Sequence, residues 1–204
     1  MFNLSVLNGF KTVGTFILYK DTLVFMIGPD HTGKKLGIMR IGGHIEDKEN
    51  YKQSLEREIK EEASIEVKYS NSPCTFYQGS WDDTNYFEIN DDLPLEIKPL
   101  IIVGDSNRST AVFLAYSDVE PRPSSEAHGL IFLKEDDIKD ICSNRLCLQD
   151  FLNKGGKLIK QREIDYDTEI YAGVHLKFFN RLLQEKNDLA RKYLYGELIK
   201  GANK

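Results

Sequence analysis

The chain has 204 residues, of which 41% are hydrophobic, and this length suits one domain with an extension better than two full domains. Its formal net charge of -5 argues against general binding of nucleic acids or of membrane surfaces, which normally requires a basic face. No signal peptide and no apolar run long enough to cross a bilayer is present, so we expect neither secretion nor membrane insertion.

A β-hairpin is predicted near the start of the chain. Residues 13–19 and 23–27 are apolar runs rich in β-branched and aromatic side chains, and the polar residues 20–22 lie between them. Two such runs with a short polar connection are typical of paired strands. A polar loop that carries two adjacent lysines is predicted next, over residues 28–37.

An amphipathic α-helix is predicted after this loop. Its apolar stripe recurs every four residues, at Tyr51, Leu55, Ile59 and Ala63. Asn50 precedes the stripe, and Gln53 follows three residues later, which is the spacing of an N-terminal cap with its reciprocal partner. One face of this helix is therefore expected to pack against the core.

Three carboxylates fall in one sector beside the apolar stripe, at Glu58, Glu61 and Glu62, with Arg57 next to Glu61. Carboxylates this close repel one another unless a cation lies between them, and hard divalent ions are a usual solution. An acidic helix face that is simply solvated is the alternative. The geometry of the helix alone does not decide between the two.

Further strands alternate with loops beyond the helix. Strand character is found at residues 65–69, 75–79, 100–103, 110–116 and 129–133. The acidic segment 81–98 is predicted as a loop, in which Trp81, Tyr86 and Phe87 could stack on a base or cover the edge of the core. A short helix is predicted at residues 135–142. The order of elements predicts an α+β fold, with a mixed sheet held between helices as an α/β/α sandwich.

The last sixty residues differ in character. A helix is predicted at residues 146–153 and a strand at residues 157–164. An apolar stripe at helical spacing then includes Tyr171, Val174, Phe178, Leu182 and Leu183, in a helix that could continue through Leu198. Core packing is the favoured role of this stripe, and a homodimer interface is the alternative. We therefore divide the chain into a domain at 1–145 and a mostly helical extension at 146–204.

The cysteines indicate the redox environment of the protein. Cys74, Cys142 and Cys147 are an odd number, and their spacing is unlike that of zinc ligands. We expect buried thiols in a reducing cytosol, and hence a cytoplasmic protein.

The spacing around the acidic helix closely resembles the signature of the Nudix hydrolases, Gx5Ex7REUxEExGU, where U is a bulky aliphatic residue. The match begins at Gly43, passes through Glu49 and ends at Ile65. Only Ser64 departs, because the family has glycine there. That position commonly takes a left-handed conformation, which costs a serine on the order of 1 kcal/mol. So many constrained positions at fixed offsets make a specific pattern.

The resemblance implies a Nudix fold over residues 1–145 and a metal-dependent hydrolase. Its expected substrate is a small molecule, a nucleoside diphosphate linked to another moiety, whose phosphoanhydride is cleaved by a metal-activated water. The implied cofactor is Mg2+ or Mn2+. The implied ligands are the Gly43 carbonyl oxygen and the carboxylates of Glu58, Glu61 and Glu62.

The resemblance also implies roles for neighbouring residues. Glu58, Glu61 and Arg57 would act in catalysis, and the general base would be either Glu58 or Glu126 from a later loop. Glu49 would support the motif.

Other candidates come from the residues flanking the motif. Lys35, Arg40 and His44 could contact substrate phosphates, although surface solvation is the favoured role of the lysine and packing or capping that of His44. Glu46 could face the metal from outside the ligand set. Many relatives carry proline where this chain has Ile41, so the loop entry is expected to be less rigid than in the family.

A second class of function stays open at this point. A Nudix-fold module could bind a nucleotide metabolite without cleaving it and report its level to a partner. Such modules typically have a damaged motif, whereas here all the glutamates are present. The hydrolase is therefore the favoured interpretation.

Overall fold

Twelve strands form one mixed β-sheet in the computed structural model, which describes residues 2–124 and 127–200. The strands are β1 (Phe10–Tyr19), β2 (Thr22–Pro29), β3 (Leu36–Met39), β4 (Lys68–Ser70), β5 (Thr75–Gln78), β6 (Phe87–Ile89), β7 (Ile101–Gly104), β8 (Ser109–Ser117), β9 (Gly129–Leu133), β10 (Leu146–Cys147), β11 (Lys157–Lys160) and β12 (Glu169–Ala172). The main path through the sheet is β10-β12-β3-β2-β1-β8-β7-β5-β6, with β9 beside β2, β11 beside β9 and β4 beside β8.

Helices cover both faces of this sheet, which confirms the predicted arrangement of a mixed sheet between helices. They are α1 (Tyr51–Ala63), α2 (Glu135–Ser143), α3 (Leu148–Asn153), α4 (Val174–Glu185), α5 (Asn187–Leu194) and α6 (Glu197–Lys200), and a short 3-10 helix at Leu4–Gly9 precedes β1. None of the helices within the described residues combines the length and apolar character that crossing a bilayer requires.

The side chains of β1 alternate between the two faces of the sheet, and they show which helices cover each face. Ile17 packs in a buried cluster with Ile59 and Ala63 of α1. Phe16 points the other way, into the large cluster that contains Phe179 of α4. Successive residues of a strand face opposite sides of a sheet, so one strand supplies both cores. The helix with the acidic motif therefore lies on the face of the sheet opposite α4.

The predicted hairpin is confirmed, because β1 and β2 are antiparallel with Ile17 opposite Val24. The predicted loop at residues 28–37 is partly wrong, since β3 begins at Leu36 and pairs with β2. The predicted loop at residues 81–98 likewise contains β6, which pairs with β5. The missed strands β3 and β6 are four and three residues long, and each is defined by its pairing with a neighbouring strand.

The C-terminal residues contribute both strands and helices. Tyr171, predicted to lie in a long helix, instead lies in β12, which runs parallel to β3. The helical stripe begins after Gly173, and it is interrupted at Lys186 between α4 and α5. Tyr193 of α5 is fully buried, and its hydroxyl lies 2.6 Å from the carbonyl oxygens of Phe16 and Ala115. The division of the chain at residue 145 stays a prediction.

The three cysteines carry free thiols, but they are half-buried rather than fully buried. Burial raises the pKa of the Cys74 and Cys142 thiols to about 11. Both thiols are therefore protonated and weakly nucleophilic near neutral pH.

Helix α1 has the capping box that its sequence predicts. The Asn50 side chain accepts from the backbone N–H of Gln53, and the Gln53 side chain accepts from the backbone N–H of Asn50. At the other end, the N–H of Ser64 donates to the carbonyl of Lys60, and Ser64 has the left-handed values φ 53 and ψ 34. The backbone at this exit has the conformation expected for the family's glycine.

We expect Ser64→Gly to stabilise the protein by roughly 1 kcal/mol, because glycine takes a left-handed conformation without the strain of a side chain. Ser64 is exposed, so few side-chain contacts are lost. The free energy of unfolding in urea would measure the change. Ser64→Ala is the matched control, since alanine keeps the backbone strain. Equal stability of the glycine and alanine variants would contradict the expectation.

Candidate functional site

The loop before α1 is held in place by β1. The N–H of Val13 donates to the carbonyl of Gly43, and the N–H of Thr15 donates to the carbonyl of Ile41, both at 2.9 Å. The Ile41 side chain is fully buried. The loop entry is therefore anchored through its backbone and by burial, in contrast to the expectation that Ile41 would leave it less rigid.

Gly43 lies directly against the Glu58 carboxylate. A Cβ atom at Gly43 would lie 2.3 Å from Glu58 Oε1, which is closer than non-bonded atoms approach. A side chain at Gly43 would force the Glu58 carboxylate to move, so glycine permits this close approach of the loop and the helix. Glu58 itself is only 9% exposed. The spacing from Gly43 to Glu58 in sequence thus corresponds to a direct contact in space.

Arg57 connects three of the motif carboxylates. Its Nε and Nη2 donate to Glu49 Oε1 and Oε2 at 2.8 and 3.1 Å, as a forked pair. Its Nη1 donates to Glu58 Oε1 at 2.8 Å and to Glu61 Oε2 at 3.0 Å. Nη2 also donates to the His44 carbonyl at 2.9 Å, which joins helix α1 to the loop. A planar guanidinium suits this arrangement because it donates in several fixed directions.

These hydrogen bonds shift the pKa values of Arg57 and Glu49 in opposite directions. The hydrogen bonds from Arg57 lower the pKa of Glu49 below its usual value. The carboxylates of Glu49, Glu58 and Glu61 raise the pKa of Arg57. Both groups are therefore ionised at neutral pH, and the guanidinium reduces the repulsion among the acids.

Glu62 faces the same loop from the next position on the helix. Its Oε2 accepts from the backbone N–H of Gly42 at 2.7 Å. Gly42 has φ 130, a conformation that side-chain-bearing residues rarely adopt. The paired glycines thus meet two different glutamates, Gly42 at Glu62 and Gly43 at Glu58.

Arg40 is buried under this loop, although its sequence position suggested a group available to phosphate. Its side chain fills the space beside Gly14, where a Cβ atom would lie 2.2 Å from Arg40 Cδ. Burial lowers the pKa of Arg40 to about 10, although the nearby Glu62 and Glu58 charges oppose this shift. Arg40 therefore remains charged at neutral pH and supplies a fixed positive charge behind the glutamates.

His175 was not identified from the sequence as a site residue. Its Nε2 accepts from Arg40 Nε at 3.0 Å, across 135 positions of sequence, and Trp81 lies against its ring with the centroids 4.4 Å apart. Burial, followed by the Arg40 charge, holds the pKa of His175 well below its usual value. A neutral imidazole can accept the hydrogen bond that orients Arg40. A lone histidine within a helical stripe gives no sequence signal of this contact.

Several predicted residues lie apart from the cluster. Lys35 precedes β3, and its ammonium forms an ion pair with Glu169 at 2.7 Å. The side chains of Glu46 and His44 are exposed, and it is their backbone atoms that bind Glu49 and Arg57. Glu126, the second candidate for the general base, lies outside the described residues.

The aromatic residues of the acidic segment mainly cover the core. Trp81 and Tyr86 pack edge-on against Phe178 of α4. Phe87 is half exposed and lies beside Tyr77, away from this pair. The core-edge alternative thus accounts for Trp81 and Tyr86.

Across residues 2–124 and 127–200, no three His, Cys, Asp or Glu side chains are grouped as a metal site. Arg57 Nη1 occupies the position between Glu58 and Glu61 instead. The donor types nevertheless fit a hard divalent cation, since they are carboxylate oxygens beside a glycine carbonyl. The Glu58 carboxylate itself fills the space that a side chain at Gly43 would take.

No protein-family model matches the chain, and no curated protein matches it. A solved hydrolase of the NUDIX family from Clostridium perfringens is 23% identical, with 65% of this chain and 85% of that chain covered and a TM-score of 0.46. A MutT NUDIX hydrolase from Burkholderia pseudomallei is 16% identical, with 63% and 85% covered and a TM-score of 0.39. An ADP-ribose pyrophosphatase from Streptococcus suis is 16% identical, with 62% and 74% covered and a TM-score of 0.39. These sequence identities and TM-scores are too low to support a conclusion about function.

We expect the protein to lose stability below about pH 6.5, because unfolded histidine binds a proton there while the partly buried His175 does not. The depressed pKa of His175 means that its contribution is complete above the unfolded pKa and is lost as the pH falls. One such group changes the free energy of unfolding by about 1.4 kcal/mol per pH unit. Urea unfolding from pH 7 to 5 would measure this slope.

His175→Gln should reduce the slope, since glutamine does not titrate and its carbonyl can still accept from Arg40. His31→Gln is the matched control, because His31 is exposed on a loop. An unchanged slope in His175→Gln would show that His175 does not cause the pH dependence.

Proposed function

We propose that the chain is a Nudix hydrolase that cleaves a phosphoanhydride in a nucleoside diphosphate linked to another moiety, with Mg2+ or Mn2+ as cofactor. The observation that carries this proposal is the meeting of the motif residues in space. Arg57 binds Glu49, Glu58 and Glu61, and Gly43 lies against Glu58. A solvated acidic helix would require neither the buried Glu58 nor the bare glycine.

The residues that would hold the cation are Glu58, Glu61, Glu62 and the Gly43 carbonyl. That carbonyl accepts one hydrogen bond from Val13, and a carbonyl oxygen has a second lone pair for a ligand. The cation, when bound, would neutralise phosphate charge and acidify a water molecule that attacks phosphorus. Arg57 Nη1 uses one oxygen of Glu58 and one of Glu61, so the other oxygen of each carboxylate would be the ligand.

The chain's own residues would perform the remaining work. Arg57 and Glu49 act as positioning residues, because their forked pair fixes the helix to the loop. Arg40 holds a positive charge beside Glu62 and Glu58, which favours a polyanionic substrate close to an acidic cluster. Glu58 is our first candidate for the general base, and Glu126 is the second.

The first test is turnover by the purified chain on a panel of nucleoside triphosphates, dinucleotides and nucleotide sugars. Glu61→Gln and Glu62→Gln should each lower kcat/KM by about 100-fold or more, because each removes a charge next to the reacting phosphate. Glu56→Gln on the same helix is the matched control, since Glu56 is exposed. Circular dichroism would verify that all variants fold. Full turnover in the double Gln variant would refute the proposal.

The second test measures the metal site without catalysis. Calorimetric titration of the nucleotide-free chain with MnCl2 should show binding that Glu58→Gln weakens about tenfold or more, because a buried carboxylate ligand is lost. Glu56→Gln should bind as the unmodified chain does. Equal Mn2+ affinity in Glu58→Gln and Glu56→Gln would exclude Glu58 as a ligand.

The nucleotide sensor remains the second candidate function. It would differ from the hydrolase in one respect, which is tight nucleotide binding with no product over hours in Mg2+ or Mn2+. The complete set of motif glutamates favours the hydrolase.

A further inference from the structure

A cleft of about 430 Å³ opens between the sheet and the first turn of α4. Its lining comes from two parts of the chain that are far apart in sequence. The residues of β2, β3 and the following loop are Met26, Met39, Arg40 and Gly42, and those of β12 and α4 include Tyr171, Val174, His175 and Lys177. Its volume lies within the range of about 300–1,000 Å³ that is typical of small-molecule sites.

The cleft borders the candidate active site at Gly42 and Arg40. Gly42 lines the cleft, and its N–H holds the Glu62 carboxylate at 2.7 Å. Arg40 also lines the cleft, and its charge interacts with both Glu62 and Glu58. A molecule with its diphosphate at the glutamates would therefore meet this cleft on the side of Gly42.

The walls of the cleft are apolar and unusually exposed. Met39, Tyr171 and Val174 are 43%, 36% and 38% exposed, although large apolar side chains are more often covered. The Tyr171 ring lies over Gly37, where a Cβ atom would come within 2.8 Å of its hydroxyl oxygen. The β3 backbone at Gly37 thus supports the Tyr171 ring, and part of the ring remains exposed to a ligand.

The charges at the cleft are positive. Arg40 is charged at neutral pH, and the exposed Lys177 lines the same cleft from α4. Apolar walls with an aromatic ring, together with two cations, match an aromatic group that is covalently attached to phosphate. A purely apolar ligand would not use the Lys177 charge, whereas Arg40 already donates to His175.

We propose that this cleft binds the nucleobase of the substrate, by stacking against Tyr171 between the Met39 and Val174 side chains. The proposal rests on the proposed function, because it places the diphosphate of the same molecule at Glu58, Glu61 and Glu62. The C-terminal residues thereby determine substrate specificity, since β12 and α4 supply Tyr171, Val174 and Lys177.

The test compares ligands with and without a base. ADP, GDP, CDP, UDP and inorganic pyrophosphate are titrated into the full chain in Mg2+ by calorimetry. At least one nucleoside diphosphate should bind more tightly than pyrophosphate, by roughly tenfold, which corresponds to one base stacked on an aromatic ring. Failure of all five ligands to bind would count against the proposed function as well as the cleft.

Substitutions at two positions identify the cleft. Tyr171→Ala should remove most of the preference for the nucleotide, whereas Tyr171→Phe should keep it because the ring remains. Val174→Glu should weaken nucleotide binding more than Tyr171→Ala does, since it places a carboxylate where the base and phosphate enter. The matched controls are Tyr195→Ala and Val119→Glu, at exposed positions that do not line the cleft.

The outcomes separate this inference from the proposed function. Tight pyrophosphate binding with no gain for any nucleoside diphosphate would overturn the cleft and leave the hydrolase intact. A nucleotide preference that survives in both Tyr171→Ala and Val174→Glu would place the base elsewhere. A preference lost in Tyr171→Ala and kept in Tyr195→Ala and Tyr171→Phe would establish the cleft.

Discussion

The hydrogen bonds of one guanidinium hold the candidate site together. Arg57 binds the Glu49 carboxylate with a fork and reaches Glu58, Glu61 and the His44 carbonyl with its remaining donors. Without this cation, three acids would lie close together at the border of a buried face, which is costly. The same contacts attach the loop to the helix. The arrangement of the acids therefore depends on this single side chain, whereas the loop is also held by β1 and by Glu62.

The sheet gives this cluster a rigid base. β1 pairs with β2 at one end and with the glycine loop at the other, through the Val13 and Thr15 backbone. Beneath the loop, Arg40 is oriented by a neutral imidazole from α4, so the C-terminal residues reach the site from the opposite face of the sheet. Burial keeps His175 neutral and leaves Arg40 charged, and the positive charge next to the acids is thus fixed by packing.

Elements with strong local signals could be predicted from the sequence. The capping box at Asn50, the stripe of α1 and the first hairpin depend on neighbouring residues, and they are found as expected. β3 and β12 could not be predicted, because each is four residues long and is defined by pairing with other strands, β3 with β2 and β12, and β12 with β3 and β10. Tyr171 fits a helical stripe by spacing, yet strand pairing with β3 overrides that local preference.

For the site, the sequence by itself determined which carboxylates share a face of α1, because spacings of three and four residues are neighbours on any helix. The sequence left the geometry of the helix exit open, because serine replaces the family's glycine there, and the structure shows a left-handed Ser64. Only the tertiary structure decided that Gly43 touches Glu58, that Arg40 is buried against His175, and that Tyr171 lines a cleft beside Gly42. These contacts join residues far apart in the chain, and no local pattern encodes the packing that brings them together.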